Sequence, residues 1–131
     1  MTKEIWINLP VKDLNRSKAF FTELGFSLTK HQTPEMVGMV ASEKNVAVCL
    51  VAEPTFKGFT GHAITDASQS TEVLFSLSAE TREEVDALSK KAESAGGTVY
   101  NKPGGNEMMY GCGFADPDGH RWNVLYMKSW E

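Results

Sequence analysis

Three histidines, two cysteines and a strand-borne glutamate are the side chains whose chemistry has to be weighed first. His31, His62 and His120 share no ligand-like spacing with one another, with a cysteine or with a carboxylate. They read as a sheet-surface or partner-facing histidine, a loop histidine and a turn histidine. Cys49 and Cys112 have no histidine base placed beside them and read as inert strand thiols. Gly104-Gly105 follows Asn101-Lys102-Pro103 and reads as a flexible loop. No helix comes after it to supply the oriented amides of a phosphate cradle. Glu72 is the one catalytic candidate, a general base if the fold sets it against an apolar wall; the plainer reading is a solvated strand-end carboxylate.

The elements that must position these groups follow from periodicity. Glu4–Val11 alternates, with Ile5, Ile7 and Leu9 on one face and Trp6 and Asn8 on the other, as in a half-buried strand. Asp13 offers an N-cap to a helix whose apolar stripe is Leu14, Ser17, Phe21 and Leu24, and Gly25 supplies its stop. Strands are expected over Phe26–Thr33, Met36–Ser42 and Val46–Ala52. The segment from Glu53 to Ser70 reads as a loop, and then the order restarts. Glu72–Ser78 alternates, and Thr81-Arg82-Glu83-Glu84 is a capping box opening a helix that runs to Ala95 before Gly96-Gly97. Strands follow near Thr98–Asn101, Met108–Ala115 and Arg121–Met127, with Asp116-Pro117-Asp118-Gly119 arranged as a type I turn.

The second half repeats the first. The helical stripe Val85, Leu88, Ala92 and Ala95 lies 71 positions after Leu14, Ser17, Phe21 and Leu24, and Gly96 lies 71 after Gly25. The strands ahead of the helices match at an offset of 68, Ile7 with Phe75 and Leu9 with Leu77. The chain therefore reads as one α+β domain over 1–131 of two tandem βαβββ modules: about 4–53, a linker of about 54–70, and about 71–128. Each sheet covers one face with its helix, and two such sheets joined edge to edge would form a half-open barrel, a cup. The alternation turns Trp6, Asn8, Glu72, Leu74 and Ser76 into that cup. It also turns in Asn123 and, from Val46–Ala52, Cys49; Glu107–Tyr110 would bring Tyr110 to the lining. Trp6 is then an aromatic platform for a flat or apolar ligand, or else ordinary packing between sheets.

The doubled order resembles the vicinal-oxygen-chelate superfamily, the glyoxalase, bleomycin-resistance and extradiol-dioxygenase group. Leu9-Pro10-Val11-Lys12-Asp13-Leu14-Asn15-Arg16-Ser17-Lys18-Ala19-Phe20-Phe21 is similar to that group's opening signature, with Phe21 where tyrosine is usual. Phe114-Ala115-Asp116-Pro117-Asp118-Gly119-His120 resembles its turn before the final strand. The resemblance implies that catalytic members hold a divalent metal from four strand positions, which fall here on Trp6, Leu74, Cys49 and Asn123. Tryptophan and leucine cannot ligate, asparagine is a feeble neutral donor, and one thiolate is not a site. No metal or other cofactor is therefore expected.

Composition narrows the rest. With 13 basic and 17 acidic residues among 131, and a net charge of -4, the chain carries no nucleic-acid footprint. No apolar run approaches the ~20 residues that cross a bilayer, no signal-peptide pattern opens the chain, and two cysteines suit a reducing cytoplasm. The expectation is a cytoplasmic, homodimeric, glyoxalase/bleomycin-resistance-like protein that binds a small organic molecule in its cup, a cationic one by net charge. One alternative is a metal-dependent lyase, isomerase or dioxygenase using Glu72 and His62 off register. The other is a dimeric scaffold with no small ligand.

Overall fold

A computed structural model describes residues 4–42 and 46–128. The chain forms two compact units, residues 1–65 and 66–131. In the first, the elements are β1 (Ile5–Val11), α1 (Leu14–Glu23), β2 (Ser27–Thr33), β3 (Met36–Ser42), β4 (Val46–Ala52) and α2 (Glu53–Thr60). The second holds β5 (Leu74–Ala79), α3 (Arg82–Ser94), β6 (Thr98–Gly105), β7 (Met109–Ala115) and β8 (Arg121–Met127). The sheets have the orders β1-β4-β3-β2 and β5-β8-β7-β6, the first pair of each parallel and the others antiparallel. The fold is thus α+β with two βαβββ modules, as read from the sequence, and the first module carries an additional helix.

The helices begin and end as their sequences require. Asp13 accepts a hydrogen bond from the Arg16 amide at 3.1 Å, and Thr81 accepts one from Glu84 at 3.1 Å. The Glu84 carboxylate reaches back to the amide of Glu80 at 3.0 Å, one residue ahead of the cap. At the other end Gly25 and Gly96 sit at φ 101° and 106°, where a Cβ would be strained. Their neighbours close the same bonds 71 positions apart: Phe26 N–H donates to Phe21 C=O at 3.0 Å and Gly97 N–H to Ala92 C=O at 2.8 Å.

In the first sheet the cross-strand partners Leu9, Leu50 and Val37 share a face, as do Ile7, Val48 and Met39. This is the face that packs beneath α1, where Phe20 and Phe21 are fully buried and meet edge to face at 5.0 Å. Phe20 joins the expected stripe, while Leu14 is only half buried. Under α3 lie Phe114, Trp122 and Val124, with the Phe114 and Trp122 rings stacked at 6.3 Å. Val85, Ser89 and Ala92 are the buried residues of α3; Leu88 is half buried, so that helix turns its contact face toward Ser89.

Three expectations are corrected. Glu53–Thr60 is a helix, not loop: Pro54 stands at its first turn, where no amide donor is needed, and Gly61 closes it at φ 71°. Lys102–Gly105 belongs to β6 instead of forming a flexible loop; β6 is an edge strand, where proline removes no ladder bond. The fifth strand begins at Leu74, so Glu72 lies ahead of it.

Arg82 fixes the β6–β7 hairpin to the start of α3. Its Nη2 donates to the carbonyls of Asn106 and Glu107, both at 3.0 Å. The guanidinium also lies 5.2 Å and 5.3 Å from the ring centres of Tyr110 and Tyr126. Asp116 organises the turn before β8. Its carboxylate accepts from the amides of Asp118 and His120 at 3.0 Å and from Trp122 Nε1 at 3.2 Å. Burial pushes this carboxyl above its usual range, although the charge of His120 and the three donors pull the other way.

Candidate functional site

The face of the first sheet turned away from α1 is built from the other parity. Trp6 pairs with Ala47, and Asn8 pairs with Cys49, which in turn pairs with Gly38. On this face lies a hollow of about 500 Å³ lined by Glu4, Trp6, Thr29, Lys30, Met36, Gly38, Ala47 and Cys49. Thr29 stands where a side chain on residue 38 would be, so a glycine at that position lets β2 and β3 lie close. Trp6 is 57% exposed, an unusually open position for an indole, whereas Cys49 is only 8% exposed. Burial pushes the Cys49 thiol up, so it stays protonated at neutral pH.

The second unit has its own face away from α3. Ser76 pairs with Asn123, which pairs with Gly113, and Leu74 pairs with Arg121. A smaller hollow of about 310 Å³ is lined by Ser76, Leu77, Ser78, Ala79, Glu80, Leu125 and Met127. Tyr100 covers Gly113 on this face, where an added Cβ would come within 2.9 Å of the ring, and the Arg121 guanidinium lies 4.1 Å from that ring's centre.

The residues singled out from sequence are therefore distributed as follows. Trp6 and Cys49 share the larger hollow, and Asn8 is on the same face but outside its lining. Ser76 lines the smaller hollow, with Asn123 and Leu74 on its face. Glu72 and His62 are both exposed, and neither lines either hollow. Tyr110 is a correction: its hydroxyl donates to Asp86 of α3 at 2.7 Å, on the helix side of the sheet. It pairs with Tyr126, whose helix-side parity sets its own. The bond to Asp86, with burial and the carboxylate's charge, raises the Tyr110 phenol above its usual range.

Glu4, Thr29, Lys30 and Met36 were missed as lining. Met36 was accessible, since it lies two places before Gly38 and shares its face. Thr29 and Lys30 were not, because Ser27–Thr33 is polar at most positions and its register shifts between Leu28 and Gln32.

The four positions implied by the resemblance carry an indole (Trp6), an isobutyl group (Leu74), a buried protonated thiol (Cys49) and a carboxamide (Asn123). That donor set does not fit a hard cation, which needs carboxylates or imidazoles. Among the described residues no three His, Cys, Asp or Glu side chains converge as a metal site.

The chain belongs to the Glyoxalase/Bleomycin resistance protein/Dioxygenase superfamily, whose family model matches residues 5–124. It is 35% identical to the hypothetical protein SA1046 from S. aureus, covering 96% of this chain and 94% of that one, with a TM-score of 0.83. A glyoxalase-related enzyme from Fulvimarina pelagi is 21% identical over 100% and 92% of the two chains, at a TM-score of 0.86. TnmS3, an antibiotic binding protein from Streptomyces sp. CB03234, is 19% identical over 98% of each, at 0.68. At these lower identities the likeness is one of fold. No curated protein sequence matches this chain.

Proposed function

We propose that this protein binds a small organic molecule, with a flat or apolar body, in the hollow of the first sheet and without a catalytic metal. The observation that carries the reading is the half-exposed indole of Trp6, which lines one hollow together with Ala47, Met36 and Cys49. A concave apolar surface with a few polar groups at its margin is the usual form of a small-molecule site. The fold it shares with TnmS3 is compatible with binding, and the donor set argues against metal chemistry.

The test is a panel of aromatic compounds followed by thermal shift and by tryptophan fluorescence, with a Trp6→Phe variant separating the Trp6 signal from those of Trp122 and Trp130. Saturable quenching together with a rise in melting temperature is expected. Failure of every compound at millimolar concentration would refute the reading. Elemental analysis of protein purified without chelator addresses the enzymatic alternative, for which stoichiometric Ni, Zn, Mn or Fe would speak. The protein is also expected to be a homodimer, since Ile5 on edge strand β1 and Val73 just ahead of edge strand β5 expose apolar surface at repeat-related positions. Light scattering on the eluting peak of a gel filtration checks this. No helix among the described residues is long and apolar enough to cross a membrane; a cytoplasmic location remains part of the proposal.

A further inference from the structure

Among the described residues, the lining of the first sheet's hollow carries one charge of each sign, placed at opposite margins. Glu4 immediately precedes β1, and Lys30 lies on β2; these are the two edge strands of the sheet β1-β4-β3-β2. Both side chains are exposed, and both line the hollow. With strands about 4.8 Å apart, three spacings separate the margins by roughly 14 Å of backbone. The lining between them is uncharged: Trp6, Ala47, Cys49, Gly38, Met36 and Thr29.

That arrangement changes what the chain's charge implies. A net charge of -4 spread over the surface favours a cationic guest, but at physiological salt it is screened beyond about 8 Å. Inside the hollow the nearest charges decide, and among the described residues those of the lining, Glu4 and Lys30, sum to zero. At the β1 margin the Glu4 carboxylate and the Trp6 ring both attract a cation, the ring through its negative face. At the β2 margin the Lys30 ammonium attracts an anion, and Thr29 brings a hydroxyl to the same side. A simple cation or a simple anion would satisfy one margin only.

Resting on the binding reading above, we infer that the ligand is amphoteric: a flat apolar body with a cationic group toward Glu4 and Trp6 and an anionic group toward Lys30. The experiment titrates the full chain with norfloxacin, a zwitterionic aromatic compound, with its cationic methyl ester and with its anionic N-acetyl derivative. The zwitterion should bind about two- to fivefold more tightly than either single-charge form, the worth of one exposed charge pair. Lys30→Met should lower affinity for the zwitterion and the anion, bringing the zwitterion level with the ester. Glu4→Gln should do the same for the zwitterion and the cation. Both positions are exposed, and unchanged melting temperatures of the variants report that each is folded. Equal affinity for the three compounds, or an ester that binds as well as the zwitterion, overturns the amphoteric assignment and leaves the binding site standing. No saturable binding by any of the three overturns the site itself.

Discussion

Replacing Trp6 by alanine separates a ligand wall from a packing residue, because the two roles predict opposite pairs of measurements. The side chain is 57% exposed, so on an aromatic side chain's total of about 200 Å² roughly 115 Å² is still open. Covering all of it would be worth about 3 kcal/mol at ~25 cal/mol per Å². A flat ligand covers one face of the indole, about half of that area, which gives ~1.5 kcal/mol, or about a tenfold loss of affinity on truncation. Stability should fall by no more than about 2 kcal/mol, the worth at the same coefficient of the roughly 85 Å² of indole that is already covered. Titration calorimetry with any ligand found by the panel gives the first number, and urea unfolding gives the second. A variant that unfolds several kcal/mol more easily yet binds unchanged would show that Trp6 is core and not a ligand wall.

Asp116→Asn should cost about 1–3 kcal/mol, because the amide nitrogen cannot accept the Trp122 Nε1–H bond. The folded carboxyl is held above its ordinary value, so its stabilising contribution is fully present below that ordinary value and is lost as pH rises through the raised one. The stability gap between the native protein and the variant, read from urea midpoints, should therefore narrow with rising pH over that window; a widening gap contradicts it. Cys49 should react with iodoacetamide at pH 8 more slowly than a free thiol, and a bound ligand should slow it further, as followed by mass spectrometry. Labelling at the free-thiol rate, or no protection, would count against its place in the hollow. Gly113→Val should displace the Tyr100 ring and its contact with Arg121, lowering the melting temperature; an unchanged melting curve would show that the ring yields freely.

Much of the architecture was legible because each module states its own boundaries. Asp13 and Thr81 cap, Gly25 and Gly96 stop, and alternation along Ile5–Val11 separates Trp6 from Leu9; each of these is a local signal with a local cause. The additional helix is not legible because its punctuation has two meanings. Pro54, Gly58 and Gly61 are the residues of a loop, yet a proline in a first turn and a glycine just past a last turn are also helix ends. The side of the sheet that Tyr110 takes is not legible, because the run Glu107-Met108-Met109-Tyr110 has no alternation to fix parity, which is settled only by pairing with β8. The charged margins of the hollow depend on a register shift in β2 and on strand order, and neither is written in residue spacing.

The Arg82 anchorage has a consequence for motion. Opening the tip would require losing two carbonyl acceptors and two ring faces together. Backbone amides around Asn106 and Glu107 should therefore exchange with deuterium far more slowly than their solvent exposure alone would suggest.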